Sequence, residues 1–312
     1  MEPRKKLIYS LVGLGVFFLV VLIGFSLWKG RSTPVQFIQE DSAFGPVAEG
    51  TFYPADPVKL NLWIQSFIQR TPNFDASGRQ LFGLIVPHAG YIYSGRTAAT
   101  AFKLLQGKSI PRVVIMAPSH RAQAQEVSIP GYAYYQTNLG TIPIDREAVQ
   151  KLKKGRSWIT DNPNLYNREH ALEVELPFLQ TVLGKFQLIP LIIGDSDIEL
   201  ARDLAAALKE TLGNDALYIA STDLSHYHPY SHAQIMDKNT LSLITAQDPE
   251  KLNQAVAAQQ AELCGLGPVL TIMTLFQNVP NGKIQLIFNE NSGDVVGQRA
   301  SVVGYGSLGL FY

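Results

Sequence analysis

Three times in this chain a short apolar run stops abruptly at a polar motif. Leu84-Ile85-Val86 gives way to Pro87-His88-Ala89-Gly90, the run Arg112 to Ala117 to Pro118-Ser119-His120, and the run Leu217 to Ala220 to Ser221-Thr222-Asp223-Leu224-Ser225-His226. Short apolar runs bounded by turn residues read as buried strands. After the first motif, Ala98, Ala99, Phe102 and Leu105 share one face at the helical period, so a helix is expected from about Gly95. Strands alternating with helices imply a largely parallel α/β sheet. Such strands share a carboxyl edge, where open α/β sheets bind ligands. His88, His120, Asp223 and His226 can therefore converge although they are remote in sequence. In the first turn Pro87 removes a donor, and Gly90 permits backbone angles that other residues resist.

The remaining elements fit the same plan. Asp56-Pro57 reads as a helix cap and first helical position, opening Val58 to Gln69. Residues 126–144 mix strand signals with Gly, Asn and Pro, as in a hairpin or meander, and Asp145 is placed to cap a helix to about Lys153. Residues 155–168 read as a polar loop, followed by the amphipathic segment Glu169 to Leu183. Gln187 to Ile193 is a further strand and Ile198 to Leu212 a helix; helices follow near 232–245, 249–258 and 266–278. Ile284 to Asn289 and Ala300 to Gly304 read as late strands joined by a Gly-containing turn at Ser292-Gly293-Asp294, pairing antiparallel at an edge. Hydrophobic residues make up 46% of the chain and charged ones 17%, enough apolar material for one large core. The expectation is one three-layer α/β domain over 47–312.

Before it lies a different kind of segment. Leu7 to Trp28 is an uncharged, mainly apolar run of 22 residues, long enough to span a bilayer. Its end, Ser26-Leu27-Trp28, makes a poor cleavage site, so 1–29 reads as an uncleaved signal anchor and 30–46 as a linker. Arg4, Lys5 and Lys6 precede the run, which places the amino terminus in the cytoplasm and the globular domain outside it. Lys plus Arg and Asp plus Glu both number 26, so no basic excess points to nucleic acid.

Cys264 is the only cysteine, which excludes an intrachain disulfide. It stands just before a helix, where the macrodipole lowers a thiol pKa and favours the thiolate, both nucleophile and metal ligand; the competing reading is a buried, inert thiol. His170 stands at a helix start with Glu169 beside it and Glu173 one turn on. Those carboxylates would fix its tautomer, or His170 simply bonds to the preceding loop. His228 and His232 read as surface residues. There is no Gly-rich phosphate loop, GxSxG elbow, CxxC or HExxH, and the adjacency of Ser225 and His226 does not argue for a hydrolytic triad.

Taken in order, PHAGYIYSG, APSH, EHALEVELPF, STDLSHY and the Cys264-Gly265 pair resemble the motifs of the Memo-like family, whose prokaryotic members are called AmmeMemoRadiSam system protein B. The resemblance covers roughly 47–312. It implies a fold similar to class III extradiol dioxygenases of the LigB-like group, with a pocket at the sheet edge. It also implies a metal site of two histidines and a cysteine, corresponding to His88, His120 and Cys264, that takes copper or iron. Asp223, His226 and His170 match further polar residues of that pocket. Extradiol dioxygenases use two histidines and a carboxylate; Cys264 in place of the carboxylate weighs against ring cleavage. The anchor departs from the soluble family pattern.

The resulting expectation is a membrane-anchored metal-binding protein with redox or oxygen-dependent activity on an unknown small-molecule substrate. His88, His120 and Cys264 would hold copper or iron, with zinc as a further candidate, and His170, Asp223 and His226 would supply acid or base. The alternatives are a non-catalytic module binding metal or protein partners, the other components of the AmmeMemoRadiSam system among them, and a metal-dependent hydrolase.

Overall fold

The computed structural model describes residues 42–195 and 197–312. The apolar run Leu7 to Trp28 lies outside the described residues; among those described, no helix is long and apolar enough to cross a membrane. The strands are β1 (Ala43–Phe44), β2 (Leu81–Val86), β3 (Arg112–Pro118), β4 (Val127–Ser128), β5 (Tyr134–Thr137), β6 (Gly140–Pro143), β7 (Ile159–Thr160), β8 (Gln187–Ile193), β9 (Leu217–Ser221), β10 (His226–His228), β11 (Lys283–Asn291) and β12 (Val302–Phe311). Nine form one sheet in the order β10-β12-β2-β9-β3-β8-β4-β7, with β11 also paired to β12; β1, β5 and β6 form a separate small sheet.

The centre of the large sheet is β2, β9, β3 and β8, all mutually parallel. These strands are apolar on both faces because both faces are covered. In β3, Val113, Ile115 and Ala117 join one core while Val114 and Met116 join the other. Helices Pro57–Arg70, Tyr91–Phe102 and Leu176–Leu183 cover the first face. Helices Arg146–Lys153, Ile198–Thr211, Tyr230–Thr245, Pro249–Ala257 and Leu266–Phe276 supply the second core. Each fully buried Leu or Ile contributes roughly 1.5–3 kcal/mol by leaving water, so two continuous cores hold the sheet between helix layers. The α/β expectation agrees with this architecture, but the sheet is mixed rather than largely parallel: β2, β9, β3 and β8 run parallel, while β10, β11 and β12 on one side and the β4–β8 pairing on the other are antiparallel.

Several boundaries differ from the sequence reading, each for a tertiary reason. The folded part already includes Phe44, buried against Tyr132, Tyr135 and Tyr166. The helix expected from Gly95 opens at Tyr91, whose ring is buried and whose hydroxyl donates to Val174 O at 2.6 Å. Gly90 has an ordinary φ of −57°, so it is not there for unusual backbone angles. Residues 155–168 contain β7 and a short helix, Pro163–Tyr166, capped by Asn162. The expected turn at Ser292-Gly293-Asp294 is a helix, Ser292–Val296, closed by a reciprocal cap between Asn291 and Asp294. β12 runs seven residues past Gly304 and pairs antiparallel with β2, β10 and β11. Its glycines let helix Tyr230–Thr245 come close: a Cβ on Gly304 would sit 2.1 Å from Asp237 Oδ2.

Candidate metal centre

The ends of β2, β3 and β9 deliver their polar motifs to one edge, as parallel strands must. His88 follows β2 and is only 1% exposed. Its backbone N–H donates to Asp223 Oδ1 at 2.9 Å, and its ring Nδ1 lies 2.8 Å from Ser221 Oγ. That leaves Nε2 facing Cys264 Sγ at 3.1 Å. Burial, and then the neighbouring His170 and His120, push His88 well below the usual imidazole range, so its ring is neutral with a free lone pair.

His120 follows β3 and is the most exposed of the three expected ligands. Glu169 holds it twice: Oε2 accepts from its backbone N–H at 2.5 Å, and Oε1 lies 3.1 Å from ring Nδ1. Burial works to raise the Glu169 carboxyl, but His120 and the N–H groups of Ala171 and His120 outweigh it and hold it low, so it is ionised. Cys264 precedes helix Leu266–Phe276, and its Sγ accepts from Asp223 N–H at 3.2 Å. Gly265 lets the cysteine turn lie against β9, since a Cβ there would meet Ser221 O at 2.3 Å. One ligand atom each from His88, His120 and Cys264 lies within 4.8 Å of the others.

The thiol itself departs from expectation. The helix start does not make it acidic: burial, and then the Asp223 carboxylate, push the Cys264 thiol up, so without a metal it is protonated. Desolvation is the largest cause because the thiol lies within the pocket wall, one residue before the helix cap Gly265.

All six residues singled out from the sequence line one pocket of about 830 Å3. Asp223 is raised to about 7 by burial, against the N–H groups of His88 and Ala89 that favour its ionised form. His170 stacks on Phe52 with ring centroids 4.1 Å apart, and burial pushes it down to about 4 despite Glu169. It is not at a helix start but in the turn before a 3-10 segment. Glu173 does not touch it; that carboxylate accepts from Val47 N–H, Ala48 N–H and Tyr53 O–H. His226 stands at the rim, its backbone N–H donating to Glu262 Oε1 at 2.9 Å. His228 is not a free surface residue, since its Nε2 lies 2.6 Å from Glu262 Oε2. Sequence reasoning missed Ser221, Glu175, Glu262 and Phe52. Of these only Ser221 carried a signal, its position at the end of a strand.

Two imidazoles and a sulfur form a borderline-to-soft donor set that suits copper, iron or zinc rather than magnesium or calcium. The pre-set His88 ring, with Nδ1 engaged and Nε2 open, fits such an ion. Tyr93, Tyr227 and Tyr305 also line the pocket. Tyr227 has a φ of 62°, an uncommon backbone state for a bulky residue.

Comparison with known proteins agrees with the residue pattern. A family model described as Memo-like protein matches residues 45–309. A MEMO1 family protein of Nitrosopumilus maritimus is 32% identical over 268 residues, covering 84% of this chain and 98% of the relative. One from Methanothermobacter thermautotrophicus is 34% identical over 273 residues, covering 84% and 98%. Among solved structures, an uncharacterized protein from Escherichia coli K12 shares the fold, with a TM-score of 0.51 at 14% identity, covering 74% of this chain and 99% of that one.

Proposed function

The chain belongs to the Memo-like protein family, and from that premise we propose that it is a membrane-anchored metal-binding protein with redox or oxygen-dependent activity. The observation that carries the reading is the 3.1 Å approach of His88 Nε2 and Cys264 Sγ beside His120 at the sheet edge. His88 and His120 would bind through ring nitrogens and Cys264 through sulfur, its proton leaving on binding. A copper or iron ion held there would supply one-electron chemistry. Asp223, raised to about 7, can hold or release a proton beside the ligands at neutral pH. His226 and His170, both pushed down mainly by burial, are neutral there and can accept one. Phe52, stacked over His170, keeps water from that side of the pocket.

The test is metal analysis of protein purified without added metal, followed by anaerobic titration with cuprous, ferrous and zinc ions. His88→Ala, His120→Ala and Cys264→Ser should each lose soft-metal affinity severely while circular dichroism shows the fold kept; His232→Ala should change little. Wild-type affinity in folded His88→Ala and Cys264→Ser would rule the site out. Dependence of turnover on oxygen or reductant separates redox chemistry from hydrolysis, and no turnover in loaded protein favours a binding module. For the anchor, protease added to intact cells with only the outer wall or membrane permeabilised should digest the globular domain; full protection would overturn the orientation, and release by salt washing would remove the anchor.

A further inference from the structure

A second group of donors shares His120 with the first. One atom each from His120, Glu169 and His170 lies within 4.8 Å of the others. Glu169 Oε1 is 3.1 Å from His120 Nδ1 and 3.3 Å from His170 Nδ1. Two donors bound to one ion at about 2.0–2.2 Å, at octahedral to tetrahedral angles, lie roughly 3.0–3.5 Å apart. Both separations match that spacing.

Other features point the same way. The His170 Nδ1 atom is buried and makes no hydrogen bond, although the carboxylate oxygen is within 3.3 Å. A buried polar nitrogen left in that state needs an explanation, and an ion between the two would satisfy it. Glu169 is pinned from the backbone, with Oε2 on His120 N–H and Oε1 on Ala171 N–H, so the carboxylate is set in place without an ion. The His120 and His170 rings lie nearly parallel, 21° apart with centroids at 5.1 Å, and each has Nδ1 next to the same oxygen.

We propose that His120, Glu169 and His170 form a second metal position, taking a borderline divalent ion through two nitrogens and an oxygen, next to the His88/His120/Cys264 position. The two would share His120, which uses Nδ1 for the second ion and its other ring nitrogen for the first. With both bound, His120 is an imidazolate and its ring proton has left to solvent. The donor sets differ: sulfur belongs only to the first position and carboxylate oxygen only to the second, so the two prefer different metals. This inference shares a ligand with the function proposed above but does not need the first position to be filled.

Cobalt(II) distinguishes the two positions, because only a cobalt ion bound to Cys264 gives a thiolate charge-transfer band in the near ultraviolet. Titration of the full-length, metal-free chain with cobalt(II) should end at two equivalents, the band saturating with one. His170→Ala should bind one equivalent and keep the band. Cys264→Ser should bind one and lack it, and folded His120→Ala should bind neither tightly. A wild-type end point of one equivalent that carries the band, or two equivalents in His170→Ala, would overturn the second position. One His170-dependent equivalent without a thiolate band would overturn the first position and leave the second standing.

Discussion

Ser221 holds His88 by the ring nitrogen opposite Cys264, and through Ser221 the histidine is tied to a carboxyl it never touches. Ser221 Oγ lies 2.8 Å from His88 Nδ1, from Ala171 O and from Glu175 Oε1. A hydroxyl has one proton to give and two lone pairs. Burial raises the Glu175 carboxyl well above its usual range, so it is neutral and can donate to Oγ. Ser221 then donates to Ala171 O and accepts from His88 Nδ1–H. That arrangement leaves Nε2 bare toward the metal position.

Ser221→Ala should therefore weaken metal binding without touching a ligand. Removal of such an orienting partner typically costs about 10–100-fold in affinity. Zinc competition titration of folded Ser221→Ala checks it. Unchanged affinity would mean that packing alone sets the His88 ring.

Cys264 should alkylate slowly in the metal-free protein at neutral pH, since burial and then Asp223 push its thiol up. Asp223→Asn removes the charge while its side-chain oxygen can still accept from His88 N–H. Iodoacetamide should react severalfold faster with that variant than with wild type. A wild-type rate equal to that of a free thiol would contradict the burial argument.

What was legible in the sequence was local. Apolar runs gave β2, β3, β8 and β9; the polar motifs at the ends of β2, β3 and β9 gave four of the six pocket residues, and the helix-start readings gave His170 and Cys264. What was not legible depends on the other side of a contact. Glu173 and Glu175 look like the wet face of an amphipathic segment but are buried, each matched by a hydrogen-bond partner from far along the chain. Gly306 and Gly309 lie beyond the strand expected at Ala300 to Gly304, and a Cβ on either would press into Leu241 or the Phe311 ring. The state of the thiol, left open between a helix-start thiolate and a buried thiol, depends on burial, which the whole fold sets.

Asp237 should make stability depend on pH. It is buried, accepts from Ser225 N–H at 3.0 Å, and burial raises it from 3.8 to about 6. A carboxyl whose pKa is higher folded than unfolded binds more protons when folded, so its contribution falls as pH rises from about 4 through 6. At about 1.36 kcal/mol per pH unit, that shift corresponds to about 3 kcal/mol. Asp237→Asn cannot ionise, so urea unfolding should show the variant gaining on wild type by up to about 3 kcal/mol between pH 4 and pH 7. A pH-independent difference would remove Asp237 from the balance.

Two glycines of the site should respond in opposite ways to alanine. Gly265 lies against β9 so closely that a Cβ would be 2.3 Å from Ser221 O and 2.6 Å from Thr222 Cβ. The obstacle is backbone, which cannot swing aside as a side-chain tip can. Overpacking of this kind costs about 1–3 kcal/mol and at times more. The forced shift also moves Cys264 away from His88, so Gly265→Ala should lose both stability and metal affinity. At Gly90 a Cβ would meet nothing nearer than Phe52 O at 3.5 Å, and φ is −57°, open to any residue. Gly90→Ala should therefore stay within about 0.5 kcal/mol of wild type and bind metal normally. Urea unfolding and zinc titration of the two variants check the pair. If Gly90→Ala proves the more damaging, the PHAG turn depends on a property of glycine other than space or backbone angle.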